Sequence, residues 1–471
     1  MNPQVLQNLL DRQRRAFRIT ATSHKQRMQA LADLRDAIHR HEDALIKAMH
    51  EDFGNRSTEE TRLLELFPTY AAIRHTRRHL RWWMRKRRVW GSWFLQPASA
   101  WYQYQALGVV GIMGAWNYPI QLCFGPLIDA IAAGNHVMLK PSELAPKTAE
   151  VIAKLISEVF EPEYITVVNG DVDTARAFSA LPFDHLLFTG STSVGRQVMK
   201  AAAENLTPVT LELGGKSPAI IHPSFSAKTA ATRIITDKLY NAGQTCIAPD
   251  YVLIHQSQVQ AFTDAAQAAV VERYPDGFSS SDYTRIISDT HYDRLFRLVE
   301  EAQHSGARVM RLGRYPKQLD AIPKVFPPVL VFDADPNLAL MKEEIFGPIL
   351  PVITYKDLDQ AIEYVNNGDR PLALYYFDHN RKRIRSILNK TIAGGVTIND
   401  CIYHIGQHRL PFGGVGSSGM GHYHGFDGFV TFSKKKPVMH QSRFAVTSVL
   451  AAPFTDAKKK LIDVLLFIVR R

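Results

Sequence analysis

YQALGVVGIMGAWNYP, residues 104–119, decides the fold. Small and β-branched apolar residues run together and stop at Asn-Tyr-Pro, which reads as a buried strand ending in a loop. A helix is expected at about 122–134, and HVMLKPSE (136–143) reads as a second strand with its own exit loop. Residues 144–160 carry helical spacing, YITVVNG (164–170) is again a strand, and HLLFTGSTSVGRQVMKAAA (185–203) repeats the strand–loop–helix plan. Short apolar strands alternating with amphipathic helices give a Rossmann-type parallel sheet covered on both faces, with polar chemistry at the strand C-terminal ends. The turn GSTSVG places Gly190 and Gly195 five apart, so it meets neither the dinucleotide fingerprint nor the Walker pattern. Its backbone N–H groups at a helix start still suit a phosphate.

Working outward, residues 219–440 hold a second strand–helix series: AIIH, YVLI, PPVLVF, PILPVITY and GGVTIND, with helical stretches at 256–272 and 291–305. At 471 residues the chain exceeds what one core supports, so two or more domains are expected, dividing near 209–212 where the chemistry changes. Three widely spaced cysteines, Cys123, Cys246 and Cys401, argue against a disulfide framework and for a reducing, cytoplasmic setting. The N-terminus lacks the apolar run of a secretory signal and reads as an amphipathic helical hairpin.

The net charge of +11 is uneven. RHTRRHLRWWMRKRR (74–88) interleaves basic residues with Trp82 and Trp83, a stripe that would suit nucleic acid or a membrane surface. Without an accompanying nucleic-acid-binding signature, the preferred reading is a solvated helix face whose tryptophans pack inward. The tail FTDAKKKLIDVLLFIVRR is too short to span a bilayer. It reads as a helix packed on its own protein or a partner subunit, with peripheral membrane contact as the alternative.

Cys246, in GQTCIAPDY (243–251), lies 34 positions after Glu212 in LELGGKSP (211–218). A lone thiol and a lone carboxylate, each flanked by glycine, look like a nucleophile and a base on two loops. Gly214, Gly215 and Gly243 are expected to keep the space around them open. A buried structural cysteine is the bland alternative.

Together with those two segments, WNYP (116–119), KPSE (140–143), FTGSTSVG (188–195), EEIFGP (343–348) and PFGGVGSSGMG (411–421) resemble the aldehyde dehydrogenase superfamily, in order and over nearly the whole chain. GQTCIAPDY and GGVTIND followed by PFGGVGSSGMGHYHG look like its class 3 branch, whose members are commonly homodimers. DRQRRAF (11–17), DFGNRS (52–57) and the basic stripe are similar to bacterial coniferyl aldehyde dehydrogenases. The resemblance implies an α/β fold with a dinucleotide-binding domain at 1–210, including part of an oligomerisation element near 90–106. A catalytic domain at 211–410, a substrate loop and oligomerisation strand at 411–445 and a tail at 446–471 complete it.

It also implies a chemistry. Cys246 would attack the aldehyde as thiolate, its pKa lowered by a positive field or helix terminus. The Asn117 amide and the Cys246 backbone N–H would hold the oxyanion, and Glu212 would activate water against the thioester. Lys140 and Glu143 would meet the adenosine ribose, and Ser191 the pyrophosphate. Glu344 and Phe346 would hold the nicotinamide ribose and flank its ring. Trp116, Gly190 and Gly195 belong to the same cofactor group, Glu343 is structural, and Tyr118 is a substrate-pocket candidate. A carboxylate near the ribose favours NAD, though similar enzymes accept NADP also.

The function expected is NAD(P)-dependent oxidation of an aromatic or medium-chain aldehyde. Coenzyme A acylation is a rival that Glu212 disfavours. A nucleic-acid- or membrane-binding protein on a retained scaffold is the rival from another class. No metal is expected: His404 and His408 stand four apart and His422 and His424 two apart, without a cysteine pair to complete a zinc set.

Overall fold

Val109–Met113 is buried at every position and lies inside a six-stranded sheet, as a continuous apolar run requires. His136–Lys140 and then Ile165–Val167 pair on one side of it, and His185–Thr189 and then Val209–Glu212 on the other, all parallel. The chain therefore builds outward from Val109–Met113 in both directions. The switch point falls between that strand and His185–Thr189, where open sheets of this kind leave a crevice. Gly419–Met420 adds an antiparallel edge beside Val209–Glu212. The computed structural model describes residues 2–19, 22–314, 322–443, 445 and 450–470.

Pro119 opens the helix Pro119–Ala133 at its first position, three residues earlier than the apolar spacing suggested, and Gly134 at φ +95° ends it. The helix Thr192–Ala203 is capped by Ser191, whose Oγ accepts from the Val194 N–H at 3.4 Å. A second, seven-stranded sheet takes strands between Pro218 and Ile398, in the order 308–311, 329–332, 349–355, 251–255, 218–221, 373–377, 395–398. Its strands are parallel except Arg308–Arg311 at one edge. A third, antiparallel sheet joins Arg87–Val89, Ser99–Ala106 and Ser433–His440. Asn135 fastens it to the first sheet: its Oδ1 accepts from the Leu107 and Gly108 N–H groups and its Nδ2 donates to the Phe432 carbonyl.

The N-terminal helices Pro3–Ile19, His24–Arg40 and Glu42–Phe53 are amphipathic elements of the fold. Leu6, Leu10 and Gln13 are buried, and Gln13 donates to the Val137 and Pro162 carbonyls. The basic stripe forms most of the helix Phe67–Trp83, and only one of its tryptophans turns inward. Trp83 is buried, whereas Trp82 is 49% exposed beneath the Arg87 guanidinium, 3.7 Å from its ring centre. Adjacent helical positions point about 100° apart, so both could not face one core.

Among the described residues the tail helix Asp456–Val469 buries none of its residues fully. Leu461, Val464, Phe467 and Val469 stand exposed. The tail's residues 446–449 and 471 lie outside the described residues. Among the described residues no helix is long and apolar enough to cross a membrane.

Beneath the loop Trp116–Tyr118 lies a fully buried ion pair, Arg56 Nη2 to Glu65 Oε1 at 3.4 Å. Arg56 Nη1 donates to the Asn117 carbonyl at 2.7 Å, and Glu65 Oε2 accepts from the Ile120 and Gln121 N–H groups at 2.8 and 3.0 Å. The pair thus fixes both sides of the turn into the helix Pro119–Ala133. Removing one member leaves the other charge buried and uncompensated, typically costing about 3–5 kcal/mol. Arg56→Met is accordingly expected to move the urea unfolding midpoint markedly downward; an unchanged midpoint would show that the pair carries no such weight.

Candidate active site

The thiol and the carboxylate singled out in the sequence are brought together. Cys246 and Glu212 line one small apolar cavity of about 70 Å³, with Tyr118, Leu122, Ile247, Leu372, Phe412 and Tyr423 among its walls. Cys246 also lines a larger cleft of about 430 Å³ at the switch point of the first sheet, bordered by Trp116, Asn117, Lys140, Glu143, Gly190, Ser191, Glu344 and Phe346. Only Cys246 and Thr189 border both. Gly195 sits one turn inside the helix below the cleft, where a Cβ would strike Leu213.

Cys246 is presented by a contorted backbone. Asn241, Ala242 and Gly243 hold φ of +52°, +50° and +77° in succession, a costly arrangement for the first two. Side chains enforce it. The Asn241 N–H donates to Glu60 Oε2 and its amide to the Asn117 and Gln244 carbonyls. Gln244 ties back to the Asn241 and Arg285 carbonyls and accepts from the Ile287 N–H. Asn117 Nδ2 donates to the Gln244 carbonyl at 3.1 Å, leaving its second hydrogen free.

Two of the glycines serve a different neighbour from the one expected. A Cβ on Gly243 would fall 2.4 Å from the Gly347 carbonyl oxygen, and one on Gly214 would strike the Glu344 carboxylate. They make room for the segment Glu344–Gly347. That segment is held by Lys216, which pairs with Asp250 and donates to the Leu340 and Glu343 carbonyls, and by Arg294, which donates to the Glu344 and Ile345 carbonyls. Phe346 accordingly sits at φ +51°, its ring 5.3 Å from Trp116.

The electrostatics differ from the sequence expectation. Burial, with Glu344 and Glu212 nearby, pushes the Cys246 thiol up to about 12. The segment 243–251 opens no helix, so no helix dipole acidifies the thiol. Burial also holds Glu212 well above the usual carboxylate range, and neither of its oxygens has a hydrogen-bond partner. Glu344 is raised to about 8, by burial first and by Asp250 next.

The cleft suits a nicotinamide dinucleotide. Lys140, almost wholly buried, reaches Glu143 Oε2 at 3.1 Å, a cation and a carboxylate placed for ribose hydroxyls. Glu344 Oε1 and Thr189 Oγ1 are buried without partners, as sites for ligand hydroxyls would be. Ser191 lines the cleft and is partly committed to its helix cap. Sequence reasoning missed His291 and Arg294, which line the cleft from the helix Asp289–His304, and also the supporting Arg56, Glu60, Glu65 and Gln244. Of the histidines weighed for metal, His404 bonds Thr397, and His404 and His424 stack on Phe412. His422 faces Asp427 at 3.6 Å.

Comparison with known proteins identifies the family. The model of the aldehyde dehydrogenase family matches residues 4–438. A probable coniferyl aldehyde dehydrogenase of Pseudomonas aeruginosa is 46% identical over 459 residues, covering 97% of this chain and 95% of its own. Aldehyde dehydrogenase family 3 member A2 of Macaca fascicularis is 40% identical over 417 residues, 88% of this chain and 84% of that one. The substrate-bound state of Staphylococcus aureus AldH superposes with a TM-score of 0.92 at 37% identity, over 99% of this chain and 100% of that one. With the family matched across most of its length and the thiol set between a dinucleotide cleft and an apolar cavity, the chain belongs to the aldehyde dehydrogenase family and is an NAD(P)-dependent oxidoreductase acting on aldehydes.

Proposed function

We propose that this enzyme oxidises apolar aldehydes, aromatic ones such as coniferaldehyde or medium-chain aliphatic ones, to carboxylates, with NAD as the preferred acceptor. The position of Cys246 between the two cavities carries the reading, because a nucleophile there meets an aldehyde on one side and a hydride acceptor on the other. The bound nicotinamide would take up the hydride and bring a positive charge to the cleft. Cys246 Sγ adds to the carbonyl carbon as the thiolate, its proton released to solvent. The free hydrogen of Asn117 Nδ2 and the Cys246 N–H stabilise the oxyanion. Loss of hydride from that carbon leaves a thioester on Sγ. Water then adds to it, giving its proton to Glu212, and the carboxylate leaves as the thiol is restored.

NAD is favoured because Glu143, paired with Lys140, would face a 2′-phosphate with a negative charge. A homodimer fits two free strand edges in the described structure, Gly395–Ile398 and Ser433–His440, each able to pair with another copy. Light scattering would then read twice the mass of one chain.

Cys246→Ala is expected to abolish turnover while leaving cofactor affinity intact. Glu212→Gln should instead give a burst of NADH followed by slow turnover, since hydride transfer precedes deacylation. Absence of a burst in rapid mixing would place Glu212 earlier in the reaction.

The raised thiol pKa sets a pH dependence. The neutral thiol is unreactive, and with its pKa near 12 the thiolate fraction at pH 8 is about one in ten thousand. Alkylation of Cys246 by iodoacetamide in cofactor-free enzyme should therefore rise about tenfold per pH unit from 7 to 10. A plateau below pH 9 would mean that the thiol is acidified after all.

Each buried methylene contributes about 0.8 kcal/mol, so kcat/KM for hexanal should exceed that for acetaldehyde by roughly tenfold or more. Coniferaldehyde and benzaldehyde should likewise surpass succinate semialdehyde, whose carboxylate the apolar walls reject. A preference for the semialdehyde would overturn the substrate class and leave the catalytic assignment standing.

A further inference from the structure

The arginines of the basic stripe take no part in the site above, and three of them border a separate cavity of about 620 Å³ between the helices His24–Arg40 and Phe67–Trp83. Met28, Tyr70 and Ile73 give it an apolar wall. Arg74, Arg77 and Arg78, spaced i, i+3 and i+4, project from one helix face and repel one another. That helix carries no acidic residue. The acids across the cavity are already engaged, Asp36 with Arg35 at 2.7 Å and Glu42 with His39 and the Tyr70 hydroxyl. Among the described residues no carboxylate pairs with the three arginines, and Arg77 Nε is buried without a hydrogen-bond partner.

We propose that this cavity binds a phosphate-bearing small molecule with an apolar or aromatic body. Guanidinium forks hold phosphate oxygens in pairs, and three unneutralised forks on one rim suit more than one phosphate charge. The volume falls within the usual range for small-molecule pockets. None of its lining residues borders the Cys246 cavities, so occupancy and catalysis are separable by substitution.

Titration calorimetry on the full-length enzyme saturated with NAD, so that the cofactor cleft is filled, tests the site with inorganic triphosphate and ATP as probes. Both should bind the native enzyme, ATP more tightly because its nucleoside meets the apolar wall. The combined Arg74→Gln, Arg77→Gln and Arg78→Gln variant should weaken each at least tenfold with kcat/KM for aldehyde unchanged. Should that variant fold poorly, Arg77→Gln alone should weaken triphosphate severalfold. Failure of either probe to bind native enzyme, or equal affinity in the variants, would overturn the proposal, as would binding of heparin or RNA without triphosphate. ATP binding no tighter than triphosphate would remove the apolar body from the ligand.

Discussion

The active site depends on charge buried in its foundations. Arg56 sits between two carboxylates, Glu65 at 3.4 Å and Glu60 within electrostatic range, with none of the three open to solvent. Each carboxylate then spends its remaining lone pairs on the backbone of a catalytic loop. Glu65 takes the Ile120 and Gln121 N–H groups beside Asn117, and Glu60 takes the Asn241 N–H below Cys246 together with the Thr284 hydroxyl. Burial raises both acids, Glu65 to about 7, so the cluster is costly, and the return is geometric. One rigid block references Asn117 and Cys246, the proposed oxyanion donor and nucleophile, to each other, although they lie more than a hundred residues apart in the chain.

That reference explains how a strained loop persists. Two non-glycine residues at positive φ precede Cys246, and a third, Phe346, lines the cofactor cleft. Each strained position is surrounded by side chains that leave its backbone no alternative partner: Asn241 and Gln244 around the first two, Lys216, Asp250 and Arg294 around the last. Strain held in this way keeps the thiol, the amide and the ring in place without waiting for substrate to organise them.

The first sheet was legible because its three central strands are buried at every position and each runs into a glycine or a proline loop, so period and punctuation agree. In the second sheet five strands were named from their apolar runs, while Arg308–Arg311, at a half-exposed edge, and the buried Ala373–Phe377 were not. The motif residues were legible because each lies where a parallel strand delivers its C-terminal end to the crevice: Lys140, Thr189 and Glu212 each occupy the last position of a strand. What escaped was long-range. Nothing local marks Arg56 or Glu65 in DFGNRSTEETRLLEL as the support of a loop that begins at 116, and Arg294 is one arginine on an ordinary amphipathic helix. The glycines near Glu212 and Cys246 were noticed, yet the bodies they accommodate come from residues 344–347. Charge patterning was only half informative. It found the basic helix, but which tryptophan turns inward depends on long-range packing, with Phe429 set against Trp83.

The resting electrostatics close the argument. Glu212, Glu344 and Cys246 all have their ionised forms disfavoured by burial, with neighbouring negative charge acting in the same direction on Glu344 and Cys246. A site in that state disfavours charge on the thiol and on both carboxylates, and the small cavity beside them is apolar. In the proposed reaction a positive charge entering the cleft would favour the ionised forms of all three. Such charge stabilises a thiolate most strongly where the surroundings screen it least. The same burial that disfavours the Cys246 thiolate would therefore make it responsive to the positive charge of the proposed cofactor. It also keeps a reactive thiol out of unproductive chemistry in a chain whose other two cysteines, Cys123 and Cys401, are simply buried.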